Sequence, residues 1–367
     1  MKFIRTEDLK EGMRLARPIY NKNGVLLYER DTKLTVQSVY SIKNFGLIGI
    51  YILEPAEPVP PMSDEDVEFE RFQTMSVFTL REILQAITDG KYPASLPRLT
   101  GEIIRNYGRL DHKINFMQNL RSPEDSVFKH SLNTAILAAV MSHKMRMGNS
   151  EQNNVVMAAL LHDVGKLMMV KEQGEAVLLE ISKSDEMKKQ SRQIGMSVLS
   201  SAYDMSEAVR TIVSELIRKI DGQKAKVTGK AVELLHVAYM YDVLTAMHLN
   251  KAPDSEVAAI RYLLDEENGF NQDAVWALID SVNILATGTC VELTSGEKGV
   301  VLQENTGNIL RPMVLGFWNN QIYDMYYDDV YEKIQVKDLM KTMDNRFVMD
   351  REAVEKFMGN VVQKKHE

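Results

Sequence analysis

The sequence predicts a mainly α protein: a helical bundle with a small α+β unit before it and a small β unit with a helical tail after it. Three observations predict this. From Asp66 to about Leu285, apolar residues recur at helical spacing almost without a break. Before that run, EPAEPVPPMSDED carries four prolines and many acids, the composition of an extended linker. After Gly288 the pattern changes to short β-branched runs separated by turn residues. The divisions expected are therefore 1–53, a linker at 54–65, the bundle at 66–285, a β unit at 286–335 and a helix with tail at 336–367.

In chain order, MRLARPIYNKNGVLLYE holds two β-type runs around Asn23-Gly24, a two-residue hairpin signal. TVQSVYSIKNFG reads as one helix closed by Gly46, and GLIGIYIL as a buried strand. The spacing then predicts helices over 66–88, 99–120, 123–147, 150–162, 190–203, 206–220, 227–248, 254–265 and 271–285. In the β unit, turns are expected at Ser295-Gly296, Lys298-Gly299 and Thr306-Gly307-Asn308, and a last helix at Val336 to Met358.

Bulk properties narrow the function. A net charge of −7 leaves no broad basic face for a nucleic-acid polymer, although a local cation cluster can still hold a small anion. The lone Cys290 rules out internal disulfides and fits a reducing cytoplasm. No apolar run reaches the roughly 20 residues of a membrane span. The expectation is a cytoplasmic protein.

The chemistry concentrates between Ser122 and Lys166. Ser122, Pro123, Glu124 and Asp125 read as the start of one helix, which Gly148 ends; Asn149 with Gln152 reads as a capping box for the next. That second helix carries VVMAALL, apolar nearly all round and so buried, and into it come His162 and Asp163, with Lys166 one turn on. His130 lies in a similarly apolar part of the first helix. Burying imidazoles, a carboxylate and an amine is costly unless they pair or hold a metal. Two readings fit. His130, His162 and Asp163 are N/O donors suited to Mn, Fe or Zn, with Lys166 placed to reach a bound phosphate. Alternatively His130 and Lys166 hydrogen-bond Asp163 in a polar network without an ion.

His130-Ser131 followed by HDVGK at 162–166 resembles the HD superfamily of metal-dependent phosphohydrolases. HSLNTAILAAVMSHKM, HVAYMYDVLTAM, GTCVELTSGEKGVVLQENTGNILRPMV and the N-terminal LKEGMRLARPIYNKNGVLL are similar, in order and spacing, to the HD-GYP branch. That resemblance implies cyclic di-GMP hydrolysis at a two- or three-metal site, with Asp163 and Lys166 in catalytic roles. The departures are extensive. Where the branch has its next histidine this chain has Ser191, with Gly195 kept; where it has a double histidine and glutamate, this chain has Leu216, Ile217 and Arg218. Asp221-Gly222 survives, but Lys224, Ala225 and Lys226 replace Gly-Tyr-Pro, and Tyr239 replaces the late aspartate, three residues before Asp242. Ser126 stands at an often acidic position and His248 roughly at an arginine position.

A hydroxyl, or a phenol with pKa about 10, binds divalent ions weakly, and Leu216 and Ile217 cannot bind them at all. A two-metal clamp therefore loses its second half. The expectation is no tightly bound ion, with one Mn, Fe or Zn as the alternative. His236 and Asp242 share a helical face with Tyr239, so either is an auxiliary donor, the bland reading of His236 being packing. Arg192 and Arg218 are the cations expected to meet a ligand; Lys224 and Lys226 read as solvated loop. His112, His143, His248 and His366 are expected at the surface. The function expected is a degenerate HD-GYP-like protein of bacterial cyclic-dinucleotide signalling, regulatory or binding cyclic di-GMP or a protein partner, with phosphodiesterase activity lost or much reduced. The alternatives are a working phosphodiesterase on one ion, and a structural platform that forms a homodimer.

Overall fold

The computed structural model describes residues 2–21, 25–53, 63–201, 205–224, 226–227, 229–249, 251–318 and 320–339. The expected Asn23-Gly24 turn, most of the linker, Ala225, His366 and the body of the last helix lie outside them.

The first unit contains strands β1 (Lys2–Arg5), β2 (Arg14–Leu15), β3 (Ile19–Tyr20) and β4 (Leu26–Tyr28), helix α1 (Val36–Asn44) and strand β5 (Gly49–Leu53). The β5 residues are all buried because β5 is the central strand, antiparallel to β1 on one side and β2 on the other. β3 and β4 pair as a separate hairpin. Thr35 caps α1 reciprocally with Ser38, and Gly46 ends the turn after it at φ +68, as a left-handed position requires.

The helical domain runs through α2 (Asp64–Thr88), α3 (Ser95–Tyr107), α4 (Ser126–Lys144), α5 (Asn149–Leu161), α6 (Val164–Gln173), α7 (Val177–Lys183), α8 (Asp185–Ser201), α9 (Glu207–Ile220), α10 (Lys230–Thr245), α11 (Glu256–Leu264) and α12 (Gln272–Ile279). Its centre is α4, buried at every residue from His130 to Ser142, with α5, α10, α2, α3 and α12 packed round it. The final unit is an antiparallel sheet, β6 (Cys290–Leu293), β7 (Lys298–Gln303), β8 (Met313–Gly316), β9 (Ile322–Asp324) and β10 (Val336–Leu339), in the order β10-β6-β7-β8-β9, with a short helix α13 (Asp328–Tyr331).

The mainly α architecture with strand-rich ends agrees with the sequence reading, and several local expectations are corrected. The 99–120 helix ends at Tyr107 against Gly108, and 109–125 runs without a regular helix. That stretch is tied down at both ends. Ile114 exchanges backbone hydrogen bonds with Ser281 and Asn283, and Arg121 O accepts from the Ile48 N–H at 2.8 Å. The turn at Ser122–Asp125 precedes α4 instead of opening it, and Gly148 caps α5 through Glu151, not through an Asn149–Gln152 box. Gln152 is buried, donating to Gly108 O and Ser142 Oγ. Between 163 and 189, where the spacing assigned no helix, lie α6 and α7. Gly299 is not in a turn but inside β7, where an added Cβ would fall 2.6 Å from Leu315 O. Residues 336–339 are a strand, not the start of a helix: Val336 is fully buried and pairs with Leu293 of β6.

Candidate metal centre

His162 and Asp163 do not sit within one continuous helix. α5 ends at Leu161, and the chain turns at Asp163 (φ −102, ψ 11) before α6 begins. The break aims both side chains at α4, where His130 lies. One ligand atom from each of His130, His162 and Asp163 falls within 4.8 Å of the others, and all three residues are buried. The two Nε2 atoms are 3.1 Å apart, and each lies 3.8 Å from Asp163 Oδ2.

The protons on these rings follow from their other nitrogens. His162 Nδ1 donates to the Ala159 carbonyl at 2.7 Å, an acceptor with no proton to give. His130 Nδ1 donates to Asp242 Oδ2 at 2.6 Å, since an ionised carboxylate can only accept. In neutral rings, both Nε2 atoms then present lone pairs to each other at hydrogen-bond distance. Two lone pairs there need a cation between or beside them, either a proton or a metal ion. Burial pushes the His162 imidazole down to about 4, so His162 is neutral at ordinary pH. Burial by itself would raise the Asp163 carboxyl, but Lys166 and the two histidines outweigh it and hold the group well below the usual carboxylate range. The donor set thus fits a divalent ion: two imidazole nitrogens and a carboxylate converging in a buried site.

Behind His130 is a layer the sequence did not disclose. Asp242 is fully buried, and its carboxylate accepts from Arg121 Nη2 at 2.7 and 2.8 Å, Gln118 Nε2 at 3.0 Å and Asn133 Nδ2 at 3.0 Å, besides His130. Burial would raise this carboxyl too; Arg121 and His130 reverse the shift. Asp242 is therefore no spare metal donor. It orients His130 and fixes its tautomer. Arg121, Gln118 and Asn133 carried no spacing signal, because Arg121 and Gln118 come from the irregular stretch 121 and 124 residues before Asp242. The one available clue was that a buried aspartate in so apolar a helix demands a cation somewhere.

The other site residues are placed as follows. Lys166 Nζ sits on Asp163 Oδ2 at 2.6 Å, the same oxygen that faces the histidines. Tyr239 lays its ring edge-on to both imidazoles, with centroids 5.0 Å from His130 and 5.5 Å from His162. Burial and then Asp163 raise its phenol beyond the usual range, so it stays protonated. Ser191 is buried, with its hydroxyl donating to Lys188 O at 2.7 Å. Leu216 and Ile217 are buried among apolar side chains. Arg192 is ion-paired with Asp221, and Arg218 turns to Lys224 O at 3.4 Å. His236 stacks on Phe270, centroids 4.7 Å apart, and its buried Nδ1 has no partner; burial and then Lys219 lower it to about 4. His112 is exposed as expected, but His248 is half-buried against the Val243 carbonyl.

Gly165 carries the packing that sets α6 in place. A Cβ there would lie 1.8 Å from Ser191 O and 2.5 Å from Gly195 N, so only glycine lets α6 cross α8 this closely.

The HD domain family model matches residues 127–268, the segment holding the His130–His162–Asp163 group and its Asp242 support. A cyclic di-GMP phosphodiesterase of Pseudomonas aeruginosa is 22% identical over 231 residues, covering 60% of this chain. The chain spans 55% of that relative's length. A solved HDG"Y"P protein from Bdellovibrio bacteriovorus aligns with 76% of this chain and 98% of its own, at 14% identity and a TM-score of 0.45. No described helix of the chain is long and apolar enough to cross a membrane.

Proposed function

We propose that this HD-GYP-related protein holds one divalent ion on His130, His162 and Asp163, and acts in cyclic-dinucleotide signalling as a regulatory or binding protein with phosphodiesterase activity lost or much reduced. One observation carries the reading: His130, His162 and Asp163 are the one metal-capable group among the described residues. The positions that would extend it are occupied by Ser191, whose hydroxyl is already bonded, by Leu216 and Ile217, and by the protonated Tyr239. Asp242 is consumed by Arg121 and His130. An ion of the Mn, Fe or Zn class in the His130–His162–Asp163 group supplies a Lewis acid for a phosphoryl oxygen, but a clamp on both attacking and leaving oxygens needs a second ion.

A second reading, a hydrolase working on one ion, is favoured by Lys166. Its side chain is 24% exposed, and its ammonium lies at the rim of the group, where it can meet a phosphate. Metal analysis and cyclic di-GMP turnover separate the two. One equivalent of Mn, Fe or Zn, absent from Asp163→Ala, with no turnover, is the expected result. Turnover that Asp163→Ala abolishes establishes the hydrolase, and two tightly held ions refute the one-ion site.

A further inference from the structure

The N-terminal unit meets the helical domain at the two stretches of chain that carry the Arg121–Asp242 pair. Ala16, Ile48, Tyr51 and Leu53 form an apolar face that packs on Leu120 and on Met247, just after α10. Three hydrogen bonds that cross the junction land on the same stretches. Arg17 Nη1 donates to Gln118 O at 2.7 Å, the Ile48 N–H to Arg121 O at 2.8 Å and Arg5 Nη1 to Leu249 O at 3.3 Å. Beside this footprint the junction is open, with a cavity of about 320 Å³ between β3, the turn after α1 and the 70–81 face of α2. Arg17 and Arg30 also face Glu70 there.

The place of the footprint matters because 109–125 runs without a regular helix, so its position rests on what its backbone groups meet. Two of its carbonyls, Gln118 O and Arg121 O, take donors from the N-terminal unit; Leu120 O takes Lys129 of α4. From this stretch the side chains of Gln118 and Arg121 reach Asp242, which accepts from His130 Nδ1 at 2.6 Å. On the other side of the pair, Met247 is buried under the unit, one turn and a little more beyond Asp242. We propose that the N-terminal unit is a clamp on the metal centre. Docked, it holds Arg121 against Asp242 behind His130; displaced, it lets the pair part, and the imidazole loses its fixed orientation. Control of ion affinity by the clamp rests on the one-ion reading above, whereas the mechanical link to His130 stands without it. Whatever shifts the N-terminal unit thereby changes the metal centre without touching it, a coupling carried by one chain of hydrogen bonds.

Calorimetric Mn2+ titration of the full chain reads the coupling. Ala16→Phe, which wedges the unit off Met247, and Arg17→Met, which frees Gln118 O, should each weaken Mn2+ binding about five- to tenfold, the low end of coupling between sites. Both are measured where circular dichroism shows them folded; should Ala16→Phe misfold, Met247→Ala, which empties the same contact from the other side, replaces it. Tyr40→Ser, on the exposed face of α1, should leave the affinity unchanged. Coupling is reciprocal, so saturating Mn2+ should slow amide exchange at Ile48, whose N–H Arg121 O holds, by a similar factor and leave β7 unaffected. A measurement without metal separates the clamp from the ion: in Mn2+-free protein, Asp242→Asn should speed exchange over residues 48–53 about fivefold relative to β7. If the native chain binds no Mn2+, the one-ion reading fails and this exchange result alone decides the clamp. If the chain binds Mn2+ but the clamp variants bind it equally well, or exchange over 48–53 does not respond to Asp242→Asn, the clamp is overturned and the one-ion reading stands.

Discussion

Replacing Asp242 with asparagine tests the reasoning about the site most directly, because the carboxylate touches His130 without facing the histidine pair. In the native protein Asp242 is fully buried and Arg121 nearly so, and five hydrogen bonds converge on the carboxylate. Asn at this position removes the charge that compensates Arg121 and turns one acceptor into a donor facing donors. Breaking a buried pair from one side costs about 3–5 kcal/mol. For a helical domain of this size that lowers Tm by about 10 °C. His130 also loses the partner that fixes its tautomer, which weakens metal binding by about 10–100-fold. Thermal denaturation followed by circular dichroism and calorimetric Mn2+ titration read the two effects. The double variant Arg121→Leu/Asp242→Leu, which removes both charges, should recover much of the lost stability, since a buried ion pair is dispensable when replaced by apolar groups. A Tm within about 2 °C of the native value, together with outright loss of metal, refutes the orienting role and returns Asp242 to the ligands.

His162 and His236 both protonate near 4 in the folded chain and near 6.5 when unfolded, so stability is full above 6.5 and falls as pH drops from 6.5 toward 4. At pH 5 each costs about 2 kcal/mol, read as a lower urea midpoint than at pH 7; His236→Phe should remove one share, and equal midpoints would contradict the shifts. The depressed Asp163 and Asp242 carboxyls act in a separate window: their contribution is present above an unfolded pKa of about 3.9 and is lost only in stronger acid. Gly165→Ala must drive α6 from α8 and should cost about 3 kcal/mol or more, whereas Gly101→Ala in α3, which meets open space, should gain about 1 kcal/mol; chemical denaturation compares them. Lys166→Met frees Asp163 Oδ2 of its cation and should tighten Mn2+ binding; weaker binding would show that Lys166 holds the carboxylate in place instead.

Much of the fold was legible because it rests on local signals. Helical periodicity from Asp66 onward, the run GLIGIYIL and the β-branched alternation after Gly288 report burial patterns that each element carries in its own residues. The errors arose where local pattern and tertiary context diverge. The apolar spacing of 99–120 continues past Gly108, but Ile114 is claimed by Ser281 and Asn283 before a helix can form. Val336 satisfies a helix and a strand equally well until β6 offers it a partner.

By itself the sequence singled out the candidate donors: His130, His162 and Asp163 stand in apolar surroundings that demand pairing, and the HD-GYP resemblance marks Ser191, Leu216, Ile217 and Tyr239 as positions where that branch has further donors. Only the tertiary structure decided which nitrogen of each ring carries the proton, that Asp242 supports His130 from behind, and that Arg121 neutralises Asp242 across 121 residues of chain. Those facts depend on which groups meet in space, and a hydrogen bond between distant segments leaves no periodicity in either of them.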